Sequence, residues 1–377
     1  MKNEMKIDRQ KLAAALKKVG IFVGKNGVSD YAPRVHFVNK DCRAMIFATD
    51  LNSAGRVYFD TEEPEEFEFC VEYDTISNVL HWKGKEITAS FISDVNDNDS
   101  IKFYDGRTKA ILAARPNDSL AEMEKNTVVP EGNECFEISG KDLKMGINYS
   151  KYAREQKESQ NEYTMCVHFV IQGSSIDIHA TNRKRVAGWK NLATAELEGM
   201  ESGSQEYLLS PKSVQSVDLF NDEDMVRMYD TGSQVIMATN ECEVYASKVN
   251  VKFPDINIFF NCDVIGSYTV ETSEVLESLS ILNYGKAESI MFNFGDGKAT
   301  VEIKEKDFNM SDEFSCSKVS GDDVSVSFNP QYFQEIFNNV KCKEVAIEFK
   351  RMKNGVVILS YKTEGGAYGM LAPHTTA

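Results

Sequence analysis

Apolar positions along this chain change period in a fixed order, and that order is met three times. A short alternating run, Met5-Lys6-Ile7, leads into Leu12, Leu16 and Val19, whose i, i+4, i+7 spacing puts them on one face of a helix. Phe136-Glu137-Ile138 leads in the same way into Leu143 and Ile147, and Tyr268-Thr269-Val270 into Val275, Leu279 and Leu282. Ile7, Ile138 and Val270 stand 131 and then 132 positions apart; so do Leu12, Leu143 and Val275, and so do Leu16, Ile147 and Leu279. Three columns at one offset mark a threefold internal repeat.

Each repeat predicts a second helix, over 73–82, 211–220 and 330–340. Ser210-Pro211 and Asn329-Pro330 each pair a capping residue with proline at the first helical position, and Phe333, Ile336, Phe337 and Val340 share one face of the last helix. Between helices the pattern turns to short alternating runs separated by turn residues: 167–171 and 176–179 around Gln172-Gly173-Ser174-Ser175, and 290–294 and 299–303 around Gly295-Asp296-Gly297-Lys298. These predict antiparallel hairpins. The fold class is α+β, with two helices on one side of an antiparallel sheet in each unit of about 125 residues. Expected domains are 1–127, 128–254 and 255–377, with joints near 127–132 and just after Phe253-Pro254-Asp255.

Composition narrows the function. With 377 residues, 42% hydrophobic and 27% charged, the chain suits two or three globular domains and not disorder. No apolar run approaches the roughly 18 to 20 residues needed to cross a bilayer, and the amino terminus, Met1-Lys2-Asn3-Glu4-Met5-Lys6, is charged where a signal peptide is apolar, so a cytoplasmic protein is expected. Eight cysteines stand singly with no Cys-x-x-Cys, which favours reduced thiols over zinc or redox chemistry. No phosphate loop or dinucleotide fingerprint opens a helix, and the five histidines show no metal spacing; His168 and His179, on opposite strands of one hairpin, read as half-buried polar residues. No cofactor, metal or catalytic residue is therefore expected. The formal net charge of −16 repels a polyanion from the average surface, so any nucleic-acid contact must come from a locally basic one.

The stretch Ala180-Thr181-Asn182-Arg183-Lys184-Arg185-Val186-Ala187-Gly188 has an abbreviated copy 132 positions earlier, Ala48-Thr49-Asp50 followed by Ala54-Gly55. Together with Lys252-Phe253-Pro254-Asp255, the ending Tyr368-Gly369-Met370-Leu371-Ala372-Pro373 and the threefold repeat, it resembles the bacterial DNA polymerase III beta sliding clamp family. The resemblance covers essentially the whole chain. It implies three repeated clamp domains forming half of a ring, a non-catalytic homodimer that encircles duplex DNA without reading sequence. Such a ring tethers the replicative polymerase, is opened by a clamp loader, and docks repair factors through short peptides. The alternative outside this family is a repeat-built β-rich scaffold that binds peptide or polysaccharide and has no DNA role.

Carried over position by position, the resemblance implies a partner-peptide pocket of Thr164, Thr181, Arg183, Lys184, Arg185, Val186, Pro254, Ile258, Phe259, Met370, Leu371, Ala372 and Pro373. Val186, Ile258, Phe259, Met370 and Leu371 are its expected apolar walls and Arg185 its expected donor. The turn departs from the family, with Asn182-Arg183-Lys184 where aspartate, glycine and histidine are usual, and a side chain at Arg183 is costly if that residue needs positive φ. Dimer contacts are implied at Ala110 and Leu112 of domain one and Ile281 and Leu282 of domain three. The small Ala110, where an aromatic is usual, weakens the expected dimer by about 1 to 2 kcal/mol.

The DNA reading also has support in the residues. Arg9, Lys11, Lys17, Lys18 and Lys25 carry positive charge with no acid from 9 through 26, and Lys141, Lys144, Lys151, Arg154 and Lys157 occupy the matching region of repeat two against Asp142 and Glu155. Repeat three departs, with Glu274 and Glu277 against Lys286, leaving Lys341 and Lys343 as its basic residues. Scattered lysines give weak, salt-dependent contact with phosphates and no base readout, as a sliding tether requires.

Overall fold

The first repeat shows how local chemistry starts each unit. The strand Glu4–Asp8 runs directly into helix α1 (Arg9–Val19) because the Asp8 carboxylate accepts the Gln10 and Lys11 amides at 2.8 and 3.0 Å, capping the first turn. Leu12, Ala15, Leu16 and Val19 are its buried face. The computed structural model describes residues 4–25, 29–92, 100–114, 118–130, 134–193, 205–282, 285, 287–304 and 308–374. The end of the expected first joint (Glu131, Gly132) and Lys286 lie outside these residues.

The remaining helices are α2 (Tyr73–Ser77), α3 (Asp118–Asn126), α4 (Gly140–Ser150), α5 (Pro211–Gln215), α6 (Asn257–Phe260), α7 (Thr272–Leu282) and α8 (Pro330–Asn339). α1, α4 and α7 are each eleven residues long and each follows a strand, at the offset of the sequence columns. Of the second helices, α8 is a full α-helix capped by Asn329, whose Oδ1 accepts the Tyr332 amide at 3.0 Å. α2 and α5 tighten after five residues into 3-10 turns at Asn78–His81 and Ser216–Leu219.

Among the described residues the strands form three sheets, and the ladders named below are antiparallel. Two compact units form. One is built from residues up to Lys141 and from Leu209–Lys248, and the other from Asp142–Ala193 and from Val249 onward. Within the first, a four-stranded sheet runs Glu4–Asp8, Glu86–Ile92, Ser100–Tyr104, Lys109–Ala113, and in an eight-stranded sheet Ser53–Asp60 pairs with Cys242–Ser247. Within the second, a twelve-stranded sheet is continued by Arg185–Ala193 pairing with Ala367–Leu371. The middle repeat thus gives strands to both units, because each of these ladders joins strands far apart in sequence. Compactness and sequence repeat divide the chain differently.

In the second unit α7 and α8 pack on one face of the twelve-stranded sheet. Val275, Leu279 and Leu282 of α7 and Phe333, Ile336 and Phe337 of α8 are buried there with Phe292, Ile347, Tyr361 and Leu371. Phe333 stacks on Phe292 with centroids 4.1 Å apart. The opposite face of the same sheet carries a second cluster, which contains the candidate site.

Candidate partner-docking site

The Ala180–Gly188 stretch folds as a tight turn between two strands, and its hydrogen bonds explain the echo in the sequence. Thr181 Oγ1 donates to the Arg185 carbonyl at 2.7 Å and accepts the Arg183 amide at 3.0 Å, while Asn182 Oδ1 accepts the amides of Lys184 and Arg185 at 3.2 and 3.1 Å. In the first unit Thr49 Oγ1 donates to the Ser53 carbonyl at 2.9 Å and accepts the Leu51 amide at 3.0 Å, and Asp50 Oδ1 accepts the amides of Asn52 and Ser53 at 3.1 and 2.7 Å. The repeat preserves a threonine and an Asx residue because these two side chains hold the backbone turn. Arg183 and Leu51 sit at its apex with φ of +73° and +79°, the left-handed region where a side chain costs about 1 to 2 kcal/mol. Gly188 is demanded by space, since a Cβ there would meet the His179 Cβ at 2.5 Å.

Next to this turn, Val186 and Met370 face each other across paired strands and are buried with Cys166, Leu208, Phe253, Ile256, Ile358 and Tyr368. Phe259, Tyr163 and Ala372 pack against the cluster while remaining partly exposed. The tail is tied to the turn where the Ala372 amide donates to the Lys184 carbonyl at 2.8 Å. Pro254 is exposed, Pro373 half-buried, and Ile258 of α6 54% exposed, so an apolar edge faces solvent beside the buried cluster. Arg183 and Lys184 are exposed at its rim. Thr164 and Thr181 are buried with their hydroxyls given to the carbonyls of Asn161 and Arg185, so they shape the backbone.

Two expected pocket residues are corrected. Arg185 is 4% exposed and already engaged: its guanidinium donates to the Glu335 carboxylate and the Tyr152 carbonyl and lies over the Tyr332 ring at 4.1 Å. It braces α8 and is not free to serve a peptide's polar atoms. Leu371 is fully buried in the cluster under α7 and α8, on the sheet face opposite Met370, because successive residues of a strand point to opposite sides.

Under Phe253 lies a buried polar chain. His168 and His179 stand directly opposite in the hairpin and share a hydrogen bond, Nδ1 to Nε2, at 2.8 Å. Tyr368 Oη lies 3.0 Å from His179 Nδ1, and His168 Nε2 lies 3.3 Å from the Glu206 carboxylate. With Glu206 ionised, the arrangement that keeps both rings neutral runs one way: Tyr368 donates to His179, His179 to His168, and His168 to Glu206. Burial lowers the pKa of both imidazoles, His168 adds to the effect at His179, and Glu206 opposes it at His168. Phe253 stacks on His168 at 4.3 Å between centroids. Burial also pushes the Cys166 thiol up to about 11, so it packs as an inert apolar group.

The basic residues occupy helix surfaces away from the buried faces. On α1, Lys11, Lys17 and Lys18 lie outside the stripe of Leu12, Ala15, Leu16 and Val19; Lys18 is half-buried, and Lys25 is exposed beyond the helix. Lys11 Nζ donates to the Asp60 carbonyl at 2.8 Å. Lys141 and Lys144 of α4 and Lys151 of the following 3-10 turn fall at i, i+3 and i+10 on one side, and Lys157 is exposed further on. Arg154 is committed in part to structure, donating to the carbonyls of Lys151 and Met165 at 3.2 and 3.1 Å, and burial lowers its pKa.

Of the four expected dimer positions, Ile281 and Ala110 reach the surface, while Leu112 and Leu282 do not. Leu112 and Leu282 are buried in their own units, at 6% and 1% exposure, whereas the expected Ile281 is 56% exposed and Ala110 half-buried; Ile111, not among the expected positions, is 61% exposed. The alternation of a strand and the 100° step of a helix turn adjacent residues to different faces.

Residues 264–371 match the family model for the DNA polymerase III beta subunit, C-terminal domain. Over those residues the chain is similar to the DNA polymerase III beta subunit. Among its curated relatives, the beta sliding clamp of Lactococcus lactis is 21% identical over 45% of this chain and 47% of that protein, so the chain spans about half the length of that relative. The beta sliding clamp of Chlamydia pneumoniae is 19% identical over 93% of this chain and 94% of its own. The solved DNA polymerase III subunit beta of Pseudomonas aeruginosa shares the fold at a TM-score of 0.84 and 15% identity, covering 99% of this chain and all of the other. The site includes residues that the motifs alone did not assign to it, namely Tyr163, Ile256 and Tyr368. Tyr368 was visible only as part of the carboxy-terminal motif, and its reach to His179 depends on a contact 189 positions away.

Proposed function

We propose that this chain is a DNA sliding clamp, a non-catalytic homodimeric ring of six repeated domains, three per chain, that encircles duplex DNA and tethers a polymerase and other factors. The family match over 264–371 carries this reading. Support comes from the basic surfaces of α1 and α4, which reverse locally the net charge of −16. The DNA-facing residues are Lys11, Lys17, Lys18, Lys25, Lys141, Lys144, Lys151 and Lys157, with Arg154 placed to position backbone as well. Partner factors dock their peptides at the apolar edge formed by Pro254, Ile258, Phe259, Ala372 and Pro373 beside the buried Val186 and Met370.

The strand pairing supports ring closure. Ser53–Asp60 already pairs with Cys242–Ser247, and Arg185–Ala193 with Ala367–Leu371. The matching strand of the third repeat, Asn309–Gly321, pairs with Gly297–Lys304 over 309–316 but with Asp263–Glu271 only over 316–321. Among the described residues one edge of 309–315 carries no strand, and Lys109–Ala113 is likewise an end strand of its sheet. Pairing these two edges between copies closes the ring, with Arg107 and Lys109 near Asp312 and Glu313, and removes two exposed edges.

The test is loading onto circles. Purified protein, opened by a clamp loader on nicked circular duplex, stays bound through gel filtration and is lost once the circle is linearised. Equal retention on circle and line refutes the sliding clamp.

A further inference from the structure

The sheet face that carries the docking cluster also carries a cleft of about 300 Å³, lined in part by Lys190, Lys350, Lys362, Glu348, Phe260 and Tyr368. Its charge is unlike that of the chain as a whole, three ammonium groups against one carboxylate on a molecule of net charge −16. Lys350 is 8% exposed and fixed, its Nζ 2.9 Å from the Phe260 carbonyl and 3.0 Å from Glu348. Lys190 and Lys362 have no carboxylate partner among the described residues. Lys190 is instead held against aromatic rings, its Nζ 4.8 Å from the centroid of Tyr368 and 5.8 Å from that of Phe260. A lysine held on aromatic faces beside a second unpaired lysine has ordered its charge in advance, so an arriving anion meets a site that needs little further ordering.

The cleft adjoins the docking cluster. Tyr368 belongs to both, and on its strand Tyr368 and Met370 lie two residues apart on one face, about 7 Å along the sheet. Phe260 of α6 also lines the cleft, so a peptide whose apolar side chains cover Ile258 and Phe259 of the same helix reaches the cleft with its next one or two residues. We propose that this cleft is a carboxylate subsite of the partner-docking site, receiving an acidic side chain or the C-terminal carboxylate of the docked peptide. The assignment rests on the docking reading of the apolar cluster. Charge complementarity selects the occupant: Lys190 and Lys362 take the two oxygens that Glu348, already paired with Lys350, does not supply.

The experiment uses the full-length protein and short fluorescein-labelled peptides with one shared leucine- and phenylalanine-containing core. The cores end in a glutamate pair with an amidated terminus, in a glutamine pair with an amidated terminus, or in a glutamine pair with a free carboxylate. Anisotropy titrations at low salt give the glutamate peptide, the free-carboxylate peptide or both a preference of roughly three- to tenfold over the neutral one, and the preference shrinks as salt is added. Which of the two gains identifies the source of the carboxylate. In Lys190→Gln/Lys362→Gln the preference disappears while the neutral peptide binds as before. A preference absent from the wild type, or unchanged in the double variant, overturns the subsite and leaves the docking site standing. Failure of every peptide to bind overturns the docking reading, and the subsite with it.

Discussion

Arg183 shows how a single residue can be legible in sequence for one property and not for another. The threonine and Asx residue flanking it announce a turn, but φ of +73° is a property of the folded backbone. A glycine there removes the Cβ conflict, so Arg183→Gly raises stability by about 0.5 to 1 kcal/mol despite the added freedom of the unfolded chain. The check is the denaturant midpoint, and a lowered midpoint contradicts the strain. Arg185, two residues on, illustrates the opposite failure. Its position suggests a surface donor, while its bonds to Glu335 and Tyr152 and its place against Tyr332 come from segments 150 and 33 residues away. No local pattern announces them.

Among elements, the 167–181 hairpin was legible from its alternation and its Gly173-Ser174 turn, and its strands pair residue for residue through His168 and His179. What the pattern could not supply is the fate of the imidazoles once Phe253 and Tyr368 close over them. Burial holds both pKa values below the ordinary 6.5, and Lys190 opposes protonation of His179 while Glu206 favours that of His168. An imidazole of this kind adds stability that is fully present above its unfolded pKa and is lost as pH falls through its lower folded pKa, because the unfolded chain takes up protons first. Stability therefore declines as pH drops below about 6.5, and each histidine contributes at most about 1.4 kcal/mol per pH unit. His179→Gln flattens that decline, seen as convergence of variant and wild-type denaturation midpoints on acidification. A pH profile parallel to the wild type disproves the account.

For the whole molecule, the exposed Ile111 and Ile281 matter more than their buried neighbours Leu112 and Leu282. If copies join by pairing Lys109–Ala113 with the open edge at 309–315, a charge at Ile111 desolvates at the joint without disturbing the monomer's core. Ile111→Asp then lowers dimer affinity by about tenfold or more, leaving the thermal midpoint of the dissociated protein nearly unchanged. Sedimentation velocity across a dilution series reads this directly; an unaltered dimer places the joint elsewhere. The mass of the wild type in the same series also separates a ring-forming protein from a monomeric scaffold.

The sequence by itself determined the α+β class, the three helices that follow strands at 131- and 132-residue offsets, the Thr-Asx turn and the two basic helix surfaces, because periodicity, capping and turn chemistry are local. Tertiary structure alone decided which apolar neighbour faces out at 111–112, 281–282 and 370–371, that Arg185 is a brace, and that Lys190, Lys350 and Lys362 share one cleft. These depend on ladders such as Arg185–Ala193 with Ala367–Leu371, which join segments far apart in the chain and fix each side chain's face through their register.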